Sequence, residues 1–234
     1  MKSLSLSEVF GPTFQGEGPS AGRRAAFIRL GLCNLDCSWC DTPFTWDWSG
    51  KNGPKQDRSL LKTTNPEELI DLVTGLDVPL VVITGGEPML QQAGLVPVIE
   101  SLTGSGMSVE VETNGTRRIT EPALRSLVTW NVSPKLSGSG VTPERAIVPE
   151  ILVEFVAEGA RLKFVVSELA EIEEVASLCA TIGVSDEQVW IMPEGRTARR
   201  VEEGLRRLAE PVLERRWNLG TRLHVTLWDD ERGR

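Results

Sequence analysis

The chain is poor in the side chains that most often do hydrolytic or zinc chemistry. It holds one histidine, His224, in 234 residues. A single imidazole argues against a His-rich zinc site and against Ser–His or Cys–His triads. No stretch approaches the ~20 apolar residues needed to cross a bilayer. The opening residues alternate apolar and polar and lack a signal-peptide core. Cation is in deficit: Lys plus Arg is 25 against 33 Asp plus Glu, a net charge of −8. Such a surface repels phosphate backbones, so neither nucleic acid nor membrane is an expected partner. These absences predict a soluble, cytoplasmic protein whose cysteines stay reduced, as thiols or metal ligands. At this length folding buries roughly 70% of the unfolded surface, so no disulfide is needed.

Short β-branched runs alternate with helical segments. Strands are predicted at 25–31, 79–84, 107–112, 128–132, 161–166 and 187–192, with a seventh plausible at 221–227. Near-continuous apolar character suggests strands covered on both faces. Helices are predicted near 92–103, 120–127, 168–182 and 197–216, and another opens at Asn65-Pro66-Glu67-Glu68, where Asn caps and Pro fits the first helical position. Repeats of this kind make a parallel sheet. Six strands suit an open (β/α)6 barrel better than a doubly wound sheet, though periodicity alone does not choose. Residues 42–64 and 133–143 read as loops, and neither as a domain linker.

Of four cysteines, three fall in Cys33-Asn34-Leu35-Asp36-Cys37-Ser38-Trp39-Cys40, directly after the first predicted strand. Three thiolates in one tight loop can hold three irons of a [4Fe–4S] cluster and leave the fourth open to a small molecule. A structural zinc site needs four closed ligands, which one distant Cys179 and one His supply poorly. Cys179 reads as a small buried hydrophobe. After the second strand comes Thr84-Gly85-Gly86-Glu87-Pro88: two glycines permit close approach to the backbone, and Glu87 can accept from an ammonium group. A plain Gly-Gly turn is the alternative.

The spacing C-x3-C-x2-C with this second motif resembles the radical S-adenosylmethionine superfamily. Further matches narrow the resemblance: Phe14-Gln15-Gly16-Glu17-Gly18, Arg29, Cys40-Asp41-Thr42, Glu112-Thr113-Asn114-Gly115-Thr116, Ser133-Pro134-Lys135 and Met192-Pro193-Glu194. Together they are similar to the 7-carboxy-7-deazaguanine synthase family over about residues 8 to 195. The resemblance implies one domain, 1–234, with the α/β partial (β/α)6 barrel of the radical enzymes and every motif at a strand's C-terminal end. It implies that the methionyl group of S-adenosylmethionine binds the open iron and is cleaved to a 5′-deoxyadenosyl radical. The reaction implied turns 6-carboxy-5,6,7,8-tetrahydropterin into 7-carboxy-7-deazaguanine with loss of ammonia, for queuosine or other 7-deazapurines. Mg2+, an electron donor such as flavodoxin or ferredoxin, and a homodimer come with it.

Carried over by position, Cys33, Cys37 and Cys40 hold the cluster and Thr42 ligates Mg2+. Phe14, Gln15, Gly16, Glu17, Arg29 and Thr84 bind substrate, Arg29 through its carboxylate. Trp39, Gly86, Glu87, Thr113, Asn114, Ser133, Pro134, Lys135, Met192, Pro193, Glu194 and Gly195 line the S-adenosylmethionine pocket. Family members commonly place a C-terminal histidine in the substrate pocket. The stretch Thr226-Leu227-Trp228-Asp229 has none, so Trp228 is expected to stack on the pterin, or Asp229 to bind its amino-pyrimidine edge. His224 reads as a structural strand residue. Arg29, Thr42 and Lys135 have plainer readings as a surface pair, a turn cap and a solvated loop residue. The arginines of 196–216 read as a solvated helix face. The rivals are a radical activase acting on a partner enzyme and a zinc-stabilised binding module.

Overall fold

A computed structural model describes residues 2–229 and 231–234; Met1 and Asp230 lie outside the described residues. The chain divides into two compact units. The first takes residues up to Thr13, Arg24–Thr113 and Arg117–Thr129; the second takes Phe14–Arg23, Asn114–Thr116 and Trp130 onward.

The first unit carries β1 (Leu4–Phe14), β2 (Arg24–Leu30), β3 (Lys62–Thr64), α1 (Pro66–Thr74), β4 (Leu80–Gly85), α2 (Gln92–Gly104), β5 (Ser108–Thr113) and α3 (Leu124–Leu127). Its strands lie in the order β3-β1-β2-β4-β5. β3 is antiparallel to β1, while β2, β4 and β5 are parallel, with Ala25 opposite Leu80 and Leu80 opposite Ser108. Ala25, Ala26, Phe27 and Ile28 are all buried, as are Leu80 to Ile83, the mark of strands covered on both faces. Helix α1 begins as its sequence predicts. Asn65 accepts from the Glu68 amide at 2.8 Å, the Glu68 carboxylate reaches back to the Asn65 amide, and Leu69 and Val73 turn inward.

The second unit carries β6 (Thr129–Val132), α4 (Pro143–Ala146), α5 (Pro149–Ala157), β7 (Arg161–Val166), α6 (Glu171–Ile182), β8 (Val189–Pro193), α7 (Ala198–Glu214), β9 (Asn218–Leu219) and α8 (Leu223–Trp228). Its strands run parallel in the order β6-β7-β8-β9. Trp130 packs edge-to-face on Phe155 at 5.2 Å in its core. Helix α7 buries Val201, Gly204, Leu208 and Val212 on one face. Two of its arginines pair along the exposed face, as expected, Arg199 with Glu203 and Arg206 with Glu202, whereas Arg200 and Arg207 reach Glu194 and Ser167 C=O outside the helix.

Several expectations need correction: strand β1 was not among those predicted, and the loop read over 42–64 ends in strand β3. The plausible strand at 221–227 is helix α8. Its apolar residues alternate, but only Val225 is buried, and Thr226 N–H donates to Arg222 C=O at 3.0 Å, a helical bond. The helix near 120–127 shrinks to Leu124–Leu127, behind Pro122. Helix α5 was not anticipated, because its core Ile-Leu-Val-Glu-Phe-Val carries a strand-like composition.

Candidate active site

The chain leaves β2 through Gly31 into a left-handed residue, Leu32, at φ 70°. Two bonds hold that strained position: Leu32 N–H donates to Thr45 C=O at 2.9 Å, and Leu32 C=O accepts from Glu87 N–H at 2.7 Å. The end of β4 therefore lies directly on the start of the cysteine loop. A side chain at Gly86 would collide with Leu32 O, and one at Gly85 with the Leu30 backbone. The close approach these glycines permit is thus to the cysteine loop itself.

Within the loop, Cys40 N–H donates to Cys37 C=O at 3.2 Å. None of the three cysteines is in a disulfide. Burial pushes the Cys33 thiol up to about 12; the Leu35 amide opposes this, while Glu87, Cys37 and Cys40 reinforce it. Hydrogen-bond donors face two of the sulfurs. Trp46 Nε1–H reaches Cys40 Sγ at 3.3 Å and Leu35 N–H reaches Cys33 Sγ at 3.5 Å. The Thr42 hydroxyl lies 3.6 Å from Cys40 Sγ.

A second loop braces the first. The Asp47 carboxylate, buried, accepts from Ser49 Oγ and from the amides of Gly50, Lys51 and Asn52 at 2.9–3.1 Å. Burial alone would raise its pKa, and these donors hold it below the usual carboxylate value instead. Asn52 Nδ2 then donates to the carbonyls of Asp36 and Cys37, both at 2.8 Å, and Lys51 pairs with Asp36. Neither Asp47 nor Asn52 was a sequence candidate; both lie in a stretch whose lack of periodicity hides its order.

Among the described residues, no group of three or more His, Cys, Asp or Glu forms a single-ion site. A cubane cluster makes a different demand, since each thiolate takes its own iron. Three free thiols in one loop, with N–H groups aimed at two of them, fit that group's preference for sulfur ligands and for donors beside them.

Beside the loop, Glu87 is fully buried and its Oε1 accepts from Met89 N–H at 2.9 Å and Thr113 Oγ1–H at 2.7 Å. It holds the turn that follows β4 to the end of β5. Thr84 Oγ1–H donates to Glu112 at 2.8 Å. Arg29 is not a surface arginine. It pairs with Glu8 at 2.8 Å through Nε, and its guanidinium lies 5.3 Å from the Phe10 ring and 5.9 Å from the Phe44 ring. Trp39 is half-buried.

The second unit organises the Phe14–Gly18 segment. Gln15 is buried, and its backbone pairs with Arg23 and Gly22 at 2.9 and 2.8 Å. Gly16 C=O accepts from Leu223 N–H at 2.8 Å, and a side chain at Gly16 would collide with the His224 ring. Phe14 stacks on Trp228 with centroids 6.3 Å apart and rings 4° from parallel. Glu17 pairs with two buried cations, Lys163 and Arg222, the latter at 3.0 Å. Burial would raise the Glu17 carboxyl, but Lys163, Arg222 and His224 hold it well below the ordinary carboxylate range. Arg222 Nη1–H also donates to Gly195 C=O at 2.7 Å, tying the turn after β8 to the same network.

The remaining candidates in this unit have local partners. Asn114 Oδ1 accepts from Thr116, and Lys135 donates to Ser133 Oγ at 2.8 Å, so Lys135 is not simply a solvated loop residue. Met192 and Pro193 are buried in β8. Pro134 is buried. Glu194 pairs with Arg200 at 3.4 Å. Asp229 Oδ1 accepts from Ala198 N–H at 3.1 Å, in the first turn of α7, whose N-cap is Thr197.

Lys163, Arg222 and His224 were missed. Lys163 had a signal: a lysine inside the apolar run Leu162 to Val166 must find a partner when buried. His224 was misplaced by the strand reading. One helical turn before Trp228 on α8, it lies against Gly16.

Residues 28–162 match the family model of the radical SAM superfamily. A 7-carboxy-7-deazaguanine synthase of Pyrobaculum aerophilum is 34% identical over 99% of this chain and 97% of its own length. That of Escherichia coli K12 is 30% identical over 95% and 97%. The crystal structure of QueE from Escherichia coli superposes with a TM-score of 0.71 at 28% identity, covering 95% of each chain. The chain belongs to the radical SAM superfamily and, within it, to the 7-carboxy-7-deazaguanine synthase family. Its fold class is the α/β partial (β/α)6 barrel of that superfamily.

Proposed function

We propose that this chain is a radical S-adenosylmethionine lyase that converts 6-carboxy-5,6,7,8-tetrahydropterin to 7-carboxy-7-deazaguanine with loss of ammonia. The observation that carries the reading is the three-cysteine loop braced by the Gly86–Glu87 turn, in a chain related over nearly its full length to synthases of that name. When bound, the cluster and S-adenosylmethionine supply one-electron chemistry that starts hydrogen abstraction from the substrate.

The chain's own residues bind and orient. Cys33, Cys37 and Cys40 hold the cluster, and Thr42 offers a hard hydroxyl oxygen to Mg2+. Arg29, paired through Nε with Glu8 and close to the Phe10 and Phe44 rings, presents further N–H groups to the substrate carboxylate. Backbone groups of Phe14 to Gly16 orient the pterin, with Trp228 and His224 beside them and Glu17 fixed beneath by Lys163 and Arg222. Thr84 contacts the substrate. Trp39, Gly86, Glu87, Thr113, Asn114, Ser133 to Lys135 and Met192 to Gly195 shape the cofactor pocket, Glu87 largely by fixing the turn. The enzyme works as one catalytic domain, in a cytoplasmic homodimer, reduced by a flavodoxin or ferredoxin. Among the described residues no helix is long and apolar enough to cross a membrane.

The test is anaerobic reconstitution followed by addition of S-adenosylmethionine, reductant, Mg2+ and the carboxypterin, with the deazaguanine acid sought by mass. Abundant 5′-deoxyadenosine over an untouched pterin would overturn the substrate assignment. Omitting Mg2+ tests the metal. Arg29→Ala is expected to raise the KM for the pterin while sparing cofactor cleavage.

A further inference from the structure

We propose that Trp46 is a tuning residue: its indole N–H, 3.3 Å from Cys40 Sγ, sets the reduction potential of the centre that the cysteine loop holds. This rests on the reading that Cys33, Cys37 and Cys40 carry an iron–sulfur cluster.

The indole is held where it is by backbone on both sides. Before it, the turn Pro43–Thr45 is closed by Thr45 N–H and Thr45 Oγ1–H on Thr42 C=O at 3.0 and 2.8 Å. Trp46 N–H and Asp47 N–H both donate to Pro43 C=O, at 3.0 and 2.7 Å. After it, the buried Asp47 carboxylate gathers the next four-residue turn, whose Asn52 is tied to the carbonyls of Asp36 and Cys37. The turn carrying the donor and the loop carrying the acceptor are therefore one braced piece. Thr45 C=O also takes the amide of Leu32, next to Cys33. A donor placed this way loses little entropy when its bond forms.

The chemistry of the pair gives the effect its sign. An indole N–H donates only and carries no acceptor. A cysteine thiolate on iron is a stronger acceptor than a thiol, and it gains electron density when the centre is reduced. A donor aimed at that sulfur therefore stabilises the reduced state more than the oxidised one, and the potential rises. The Leu35 amide at Cys33 Sγ is more distant at 3.5 Å and is backbone, so no side-chain change removes it. The Thr42 hydroxyl at 3.6 Å from Cys40 Sγ can serve as donor or acceptor and has no fixed sign. Trp46 is the contact that sequence variation can switch. The competing account makes its ring an apolar cover over the loop. Phenylalanine would then replace it without moving the potential.

The test compares wild type, W46F and W46H after the same anaerobic reconstitution. Iron and sulfide content are measured first, then the reduced fraction by electron paramagnetic resonance at fixed applied potentials. W46F is expected to load like wild type and to show a reduced-to-oxidised ratio ~3–10-fold lower at one potential. W46H, whose ring N–H can reach the same sulfur, is expected to fall between. W46H loading where W46F does not would also support a required donor. A fully loaded W46F with the wild-type potential would overturn the inference, as would equal failure of W46F and W46H to retain iron, which would make the indole a structural support. Iron-free wild-type protein would sink both readings, whereas iron-loaded wild type with an indifferent W46F would sink this one alone.

Discussion

The cysteine loop and the Phe14–Gly18 segment are both fixed in place, but by different means. Short-range bonds hold the first: amides and carbonyls at Leu32, Cys37 and Cys40, and the Asn52 side chain across two carbonyls, in a turn that the Asp47 carboxylate gathers. Its Cys33 thiol is pushed up to about 12 by burial, so without iron it stays protonated. Charge holds the second: Glu17 lies between Lys163 and Arg222, all three largely shielded from water. A thiol that waits for a metal centre gains from being neutral until loading, when its proton leaves as iron arrives. A segment that must present backbone to a ligand gains from being locked before the ligand comes.

The sharpest way to break this contrast is to remove what each region cannot replace. Cys37→Ala is expected to abolish iron retention and 5′-deoxyadenosine formation altogether while leaving the fold intact, since Cys37 is a proposed ligand and contributes little packing volume. Iron analysis and circular dichroism read the two effects separately. If C37A still cleaved the cofactor, the cluster assignment would be wrong.

The charged region should respond in the other way, through stability. Glu17→Ala leaves Lys163 and Arg222 buried with their shared partner gone. Breaking a buried pair from one side costs about 3–5 kcal/mol. At roughly 2–4 °C per kcal/mol for a chain this size, melting should fall by about 6–20 °C. Glu17→Gln, which keeps the acceptor, should cost less. Equal melting temperatures for wild type and E17A would show the network to be energetically idle.

The same division marks what could be read in advance. The cysteine loop and the glycine turn after β4 were legible because their chemistry is local: ligand spacing and backbone freedom are written in eight and five consecutive residues. Six strand cores and helix α1 were legible for the same reason, from apolar runs and a capping signature. The Glu17 network was not. Its members lie at positions 17, 163 and 222, and no short-range pattern joins them. Lys163 offered the hint of a charge in an apolar strand, but its partner could not be named. Arg222 and His224 were hidden by reading α8 as a strand, because Leu223, Val225 and Leu227 alternate and the helix is only six residues long. Asn52 and Trp46 sit in a segment that looks like disorganised loop, since its order comes from one buried carboxylate.

The brace on the cysteine loop gives a smaller, graded test. Asn52→Ala removes two hydrogen bonds to main-chain carbonyls, together worth about 1–3 kcal/mol. The loss should fall on local order and not on global melting. The expected readout is faster iron loss from reconstituted N52A under a chelator, with reaction chemistry on freshly loaded enzyme little changed. Identical iron-release rates would mean that the 46–52 turn is decoration on the loop and not a support.

The smallest effect is the acid limb of stability, and it bears on the charged region alone. Glu17 has an ordinary pKa of 4.5, which Lys163 and Arg222 lower in the folded protein despite burial. A carboxyl depressed in the folded state contributes stability that is complete above its unfolded pKa and is lost as pH falls below it. Below about pH 4.5 the unfolded chain takes up a proton at this site while the folded chain resists. The advantage of wild type over E17Q should therefore be flat above about pH 6 and shrink by up to ~1.4 kcal/mol per pH unit on the acid side. Other carboxylates titrate in both proteins and cancel in the difference. His224 also faces Glu17 and acts in the same direction as Lys163 and Arg222, lowering that carboxyl. Denaturant melts of the two proteins from pH 7 to pH 3 measure the difference directly. Parallel curves throughout would mean that Glu17 is not held ionised by its neighbours, and the reading that charge locks this segment would fail.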